Sequence, residues 1–208
     1  MPEKEIKKDI KKKSKQKYNI YYLSMGEINQ IIAKAKSIRN QVILKILART
    51  GMRRFELCNL RVKDVDFEKE RIFIPKAKGD KPRTVAIDLD TLQTIKFYIG
   101  SRQYGKLIQS NKKNVDGIDE SRINAVVSNT AKKAGITHPD PTKSKVNPHI
   151  FRHSFIRHLL KKGVPPNYVQ QIAGHSDIRT TLQMYGIPSF KDVQEKYKEI
   201  TSSFYEIS

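Results

Sequence analysis

PHIFRHSFIRHLLKKGV (Pro148 to Val164), followed closely by VQQIAGHSDIRTTLQMY (Val169 to Tyr185), is the stretch from which the rest of this chain is read. Asn147 precedes the proline, and Asn at the N-cap with Pro at the first helical position starts a helix. The spacing then puts His149 and Arg152 in the first turn, three residues apart on one face. Phe151, Phe155 and Leu159 form the apolar stripe, and Gly163 ends the helix. A second helix is expected from Pro165 to Ala173, closed by Gly174, and a short one over Thr180 to Tyr185. Two imidazoles (His149, His175), a guanidinium (Arg152) and a phenol (Tyr185) are thereby gathered near a helix start, whose dipole favours an anion. Attack on a phosphodiester by tyrosine would need these groups.

Working outward, the helical period dominates. Ser24-x-x-Glu27 is a capping box, and Ile28, Ile31, Ile32 and Ala35 follow with helical spacing. A further helix runs through Val42, Leu44, Ile46 and Leu47 to Gly51, and Phe55 to Leu60 reads as a short one. The period then changes to that of strands over Val62–Phe67, Arg71–Pro75 and Arg83–Ile87, with Gly79-Asp80-Lys81 as the turn of the last hairpin. Helical spacing returns around Leu92–Ile99 and Ile123–Ala134. The polar, Gly- and Asn-containing residues 100–120 between them read as a loop, and residues 189–205 as an amphipathic tail. The expected fold class is mostly α with a small three-stranded antiparallel sheet, an α+β arrangement.

Charge narrows the partner. Lys and Arg number 41 against 21 Asp and Glu, a net charge of +20. Residues 1–17 hold eight lysines against Glu3, Glu5 and Asp9, so most of the excess lies on the body. That lysine-rich arm is too polar to fold alone, and order is expected from Tyr18. A surplus of this size points to a polyanion, with nucleic acid the expected partner rather than an anionic membrane, for which no amphipathic anchor is seen. No apolar run exceeds four residues, so neither a membrane span nor a secretory signal is expected. The single cysteine, Cys58, excludes an intramolecular disulfide, fits a reducing cytosol, and reads as a small buried core residue.

Taken one at a time, the candidate residues are unremarkable. Arg53, in Thr50-Gly51-Met52-Arg53-Arg54-Phe55-Glu56-Leu57, sits just past a helix-ending glycine, where a guanidinium can meet a phosphate with two parallel hydrogen bonds. Lys78 lies in Ala77-Lys78-Gly79 at a hairpin tip, where a lysine is ordinarily a solvent or nonspecific contact. Tyr185 is one of nine tyrosines. Their order is the distinctive property. Arg in TGMR-x-x-EL, Lys in a β-hairpin, His-x-x-Arg, Gly-His and then Tyr is the pattern of the tyrosine recombinase (phage-integrase) family. From about Tyr18 to Ile200 the chain resembles the catalytic domain of that family.

The resemblance implies a site made of Arg53, Lys78, His149, Arg152, His175 and Tyr185. Tyr185 would attack the scissile phosphorus and form a 3′-phosphotyrosyl link, freeing a 5′-hydroxyl. Arg53 and Arg152 would hold the nonbridging oxygens and His175 would add a hydrogen bond, the kind of fixed charge stabilisation that usually dominates catalysis. A phenol has a pKa near ~10, so a base is needed, and His149 is the candidate. Lys78 is the candidate acid for the leaving oxygen. Arginines in this role can replace metal ions, so no cofactor, metal or ATP is implied. Glu56 reads as a supporting or packing residue. The implied partners are double-stranded DNA and further copies of the chain, a tetramer on synapsed sites with a monomer possible when free. No membrane partner is implied, and the expected location is cytoplasmic, on the nucleoid.

Two departures from the pattern stand out. His175 and Tyr185 are ten residues apart where the family usually has nine, and an extra residue inside a helix would turn the tyrosine by ~100°. It is expected to be absorbed in the loop before Thr180; cis or trans delivery of the tyrosine stays open, and Tyr197 and Tyr205 are reserve nucleophiles. The N-terminal core-binding domain that usually precedes residues like 18–208 is absent from the sequence, so the chain is either an excised domain or a short enzyme relying on its arm. The alternatives are a type IB-like topoisomerase, or a noncatalytic helix-turn-helix protein using Val169 to Tyr185. The charge distribution predicts salt-sensitive DNA binding: the logarithm of the affinity should fall linearly with that of salt concentration. An affinity equal at low and high salt in a titration would contradict it.

Overall fold

The computed structural model describes residues 21–75, 82–110 and 115–174, together with Gln194, Tyr197, Lys198 and Thr201. The lysine-rich arm, the hairpin turn at Gly79-Asp80-Lys81 and the short helix at Thr180 to Tyr185 lie outside them. Of the amphipathic tail, the four described residues are helical, and the Thr201 hydroxyl donates to the Tyr197 carbonyl.

Chain order begins with helix α1 (Met25–Ala33), which starts at the capping box. The Glu27 backbone N–H donates to the Ser24 hydroxyl at 3.2 Å, and the Ser24 N–H donates to the Glu27 carboxylate at 2.8 Å. Helix α2 (Ile38–Thr50) carries Val42, Ile43, Leu44, Ile46, Leu47 and Ala48, all buried. A helix apolar over so much of its circumference has to be surrounded, and α2 packs against α1 and four later helices. Gly51 ends it in the left-handed conformation (φ 61°), which costs glycine little. Helix α3 (Arg54–Asn59) follows at once.

The sheet has strands β1 (Val65–Asp66), β2 (Arg71–Ile74) and β3 (Arg83–Ala86), antiparallel in that order. Ile72 faces Val85 and Ile74 faces Arg83 across the second pair. The first strand is shorter than the expected Val62–Phe67. Val62–Asp64 forms a 3₁₀ turn instead. The Arg61 N–H donates to the Asp64 carboxylate at 2.8 Å, and Val62 and Val65, three apart, are both buried. A period of three and a local Asp cap outweigh the β-branched composition.

Helices α4 (Leu89–Ile99), α5 (Glu120–Lys133), α6 (Pro148–Lys161) and α7 (Pro166–Ala173) complete the described elements. The first two start from Asp88 and Asp119, whose carboxylates accept from Thr91 and Arg122 N–H groups, and α6 starts from Asn147 with Pro148 as anticipated. The loop before α5 is tied down more firmly than its polarity implies. Leu107 and Ile108 are buried, and Leu107 N–H donates to the Leu60 carbonyl at 2.8 Å. Among the described residues no helix is long and apolar enough to cross a membrane. Mostly helical with one three-stranded antiparallel sheet, the fold matches the class read from the sequence.

The apolar interior is divided. A large cluster extends from Leu23 to Phe151, while Ile156, Val169 and Ala173 form a separate small one between α6 and α7. Phe155, half-buried beside the small cluster, presses its ring on Gly51, where an added Cβ would lie 2.6 Å from Cδ1. Gly51→Ala therefore meets both an unfavourable φ and a packed ring. The expected loss is about 2 kcal/mol or more of unfolding free energy, read as a lower midpoint in urea denaturation.

Candidate active site

Three of the six residues singled out in the sequence fall in described segments, and they converge. Arg53, His149 and Arg152 line one cavity of about 190 Å³, together with Arg54 and Glu120. The turn that delivers Arg53 is built from short-range bonds. The Thr50 hydroxyl donates to the Ile46 carbonyl at 2.7 Å and accepts from Met52 N–H at 3.1 Å, and Met52 is fully buried. Arg53 is then the N-cap of α3. Its N–H donates to the Glu56 carboxylate at 2.7 Å, and its guanidinium approaches the same carboxylate at 3.4 Å.

Arg152 projects from the first turn of α6 and is only 5% exposed. One terminal nitrogen donates to the Gly51 carbonyl and the other to the Ala173 carbonyl, each at 2.7 Å. The first of these bonds ties Arg152 to the residue that ends α2, two positions before Arg53. The second joins it to the C-terminal end of α7, where a cation suits the unpaired carbonyls and the dipole. The guanidinium is thus oriented before any ligand arrives.

His149 keeps solvent access on the cavity side. Its pKa is nevertheless lowered, first by partial withdrawal from water and then by the positive charges of Arg54, Arg152 and Arg53. A ring held neutral near pH 7 can accept a proton. One turn along α6, the His153 ring stacks on it with centroids 6.3 Å apart. Burial, followed by the charges of His149 and Arg152, pushes the His153 pKa down to about 4. Arg54 is a cation beside the cavity that the sequence pattern did not single out. Its Nε donates to the Glu120 carboxylate, and Nη1 reaches Asn124 Oδ1 at 3.4 Å.

Arg83 was also passed over. It is buried with Glu56, donating to the two carboxylate oxygens at 2.6 and 2.8 Å. Burial alone would raise the Glu56 pKa, but the hydrogen bonds and charge of Arg83, with the Arg53 N–H, hold it below the usual carboxylate value. Alternation supplied a signal that was available. Arg83, Val85 and Ile87 share one face, and an arginine in phase with core residues needs a buried counter-charge. Cys58 is half-buried against the core rather than enclosed, and burial raises its thiol to about 11. It is therefore unreactive at neutral pH.

Lys78, His175 and Tyr185 lie outside the described residues. Arg83 begins β3 five residues after Lys78, and Gly174, in the left-handed conformation, is the residue before His175.

The model of the phage integrase family matches residues 22–191. The chain belongs to that family. Among curated relatives, tyrosine recombinase XerA of Pyrococcus furiosus is 34% identical over 169 residues, covering 80% of this chain and 56% of that protein. XerA of Pyrococcus horikoshii is 31% identical, covering 83% of this chain and 59% of that protein. The chain thus spans a little over half the length of these relatives. Among solved structures, a crystal structure of XerA recombinase superposes with a TM-score of 0.71 at 31% identity, over 87% of this chain and 65% of that one. The XerH site-specific recombinase bound to its difH substrate in a pre-cleavage complex gives 0.68 at 25% identity, over 86% of this chain and 56% of that one.

The histidine pair makes stability depend on pH. With a lowered folded pKa, the unfolded chain binds protons that the folded one refuses, so this contribution is present above pH 6.5 and lost as pH falls towards 4. His153→Gln should flatten the decline of unfolding free energy across that interval, measured by denaturant titration at several pH values. An unchanged slope would show that His153 is protonated without penalty.

Proposed function

We propose that residues 18–208 form the catalytic domain of a site-specific DNA recombinase that cuts and rejoins strands through a 3′-phosphotyrosyl intermediate. The observation that carries this reading is the convergence of Arg53, His149 and Arg152 on a single cavity, with Arg152 oriented by two backbone carbonyls. Family membership and the DNA complex of the XerH recombinase lend support.

In this mechanism the Tyr185 oxygen attacks phosphorus while the bond to the 5′-oxygen breaks. His149, neutral through its lowered pKa, takes the phenolic proton, directly or through water. Lys78 gives a proton to the departing 5′-oxygen. Arg53, Arg152 and His175 hold the nonbridging oxygens as negative charge builds on them. Reversal by the 5′-hydroxyl of another strand exchanges partners and needs no ATP, because the phosphotyrosine conserves the ester bond. Strand exchange between two duplexes calls for several copies of the chain on synapsed sites, and a tetramer meets that need. The +20 charge supports binding to double-stranded DNA, and the nucleoid in the cytoplasm is where that substrate is found.

Two measurements test the reading. A library of nicked suicide duplexes with randomised cores is incubated with the protein, and covalent adducts are recovered under denaturing conditions and sequenced. Wild type should yield adducts on a restricted set of duplexes, and Tyr185→Phe none. Arg53→Ala and Arg152→Ala should each cut adduct formation by roughly 100-fold or more. Adducts that persist in Tyr185→Phe would move the nucleophile elsewhere, and none with wild type would favour a noncatalytic DNA-binding role. In the second, single-turnover cleavage on the recovered duplex should gain rate with pH through an acid limb below 6.5, set by the depressed His149 pKa. A rate with no acid limb, or a limb that survives unchanged in His149→Gln, would exclude His149 as the base.

A further inference from the structure

Arg83 has a full ionic partner, yet its bonds reach in two directions. Nη1 and Nη2 meet the two oxygens of Glu56 at 2.6 and 2.8 Å, and Nε donates to the Ile172 carbonyl at 2.9 Å. The side chains of the pair are 5% and 2% exposed. Glu56 in turn accepts the Arg53 N–H at 2.7 Å. On the other side, Gly174 passes directly over the guanidinium. A Cβ there would lie 2.8 Å from Nη1 and 3.0 Å from Cδ and Cζ, so the chain can run this close only as glycine, with φ at 70°.

We propose that Arg83 is a positioning residue: through Glu56 it fixes Arg53, and through Ile172 and Gly174 it fixes the turn from which His175 departs. The functional meaning of those two residues rests on the recombinase reading above. Packing supplies the reason such a device is needed. Helix α7 joins the body through a small apolar cluster and through half-buried Ile172 against the main core, contacts that hold it without the directionality of hydrogen bonds. Arg152 holds the Ala173 carbonyl and Arg83 the Ile172 carbonyl, so the last turn of α7 is registered by hydrogen bonds from two guanidinium groups. A hydrophobic residue at position 83 could cover the sheet, as Val85 does, but would have no direction to give. Replacing buried pairs by apolar residues is often neutral for stability. Lysine would keep the charge but could not span two carboxylate oxygens and a carbonyl together.

The test uses the full chain as wild type, Arg83→Lys and Glu56→Gln, so that one variant failing to fold leaves the other. In the free protein, hydrogen exchange should quicken by roughly 10-fold or more at Arg53 and Gly174, while amides of α1 and α4 keep their wild-type rates. Quickening everywhere, or nowhere, overturns the proposal. On the duplex recovered from the library, Arg83→Lys should slow single-turnover cleavage roughly 10- to 100-fold with DNA affinity within about threefold. The defect should shrink when a methylphosphonate, lacking the nonbridging charge that Arg53 would hold, replaces the scissile phosphate. An equal defect on both substrates, or full activity, also overturns it. Were wild type to form no adduct, the recombinase reading would fall, while the exchange rates would still decide whether Arg83 links the two turns.

Discussion

A carboxylate with almost no access to water can stay ionised only if guanidinium groups replace the hydration it has lost, and Glu56 is such a carboxylate. Its two oxygens face Arg83, and its remaining lone pairs meet the N-cap of α3. The strand β3, the start of α3 and, through Arg83, the end of α7 are consequently fixed to one point. Removing either partner would leave a bare charge in the interior. For that reason the pair can be kept whole or lost, but hardly weakened by degrees.

The cavity follows the same principle at its other arginines. Arg152 bonds to carbonyls at Gly51 and Ala173, and Arg54 to Glu120 and Asn124. Guanidinium groups held by backbone or by second residues need little reordering when an anion binds, and this is what electrostatic preorganisation requires. The concentration of cations also acts on the imidazole beside them. The pKa of His149 is lowered by partial burial and positive neighbours, so the same cations that line the cavity favour the neutral form of its imidazole.

Most of the fold was legible in the sequence because its signals are local. The Ser24–Glu27 capping box, Gly51 at the end of α2, and Asn147-Pro148 at the start of α6 mark helix ends without reference to anything distant. The first strand was overread because Val62 and Val65 satisfy a period of three as readily as strand composition. Arg53, His149 and Arg152 were found through motif order, and the cavity brings them together. Arg83 was missed even though alternation places it on the core face, since its partner Glu56 lies 27 residues earlier and no spacing rule connects a strand to a distant helix start. The carbonyl bonds of Arg152 are likewise invisible in sequence, where a backbone acceptor at Ala173 looks like any other.

Gly51 carries a consequence beyond its part in ending α2. One residue closes that helix, gives its carbonyl to Arg152, and leaves room for the Phe155 ring. Core packing and the cavity that Arg152 lines are therefore coupled at this residue. A bulkier neighbour at position 155 would press on the backbone that aims Arg152, and a side chain at 51 would press on the core. A change made to the packing here is thus also a change to the cavity, with no other residue placed between the two.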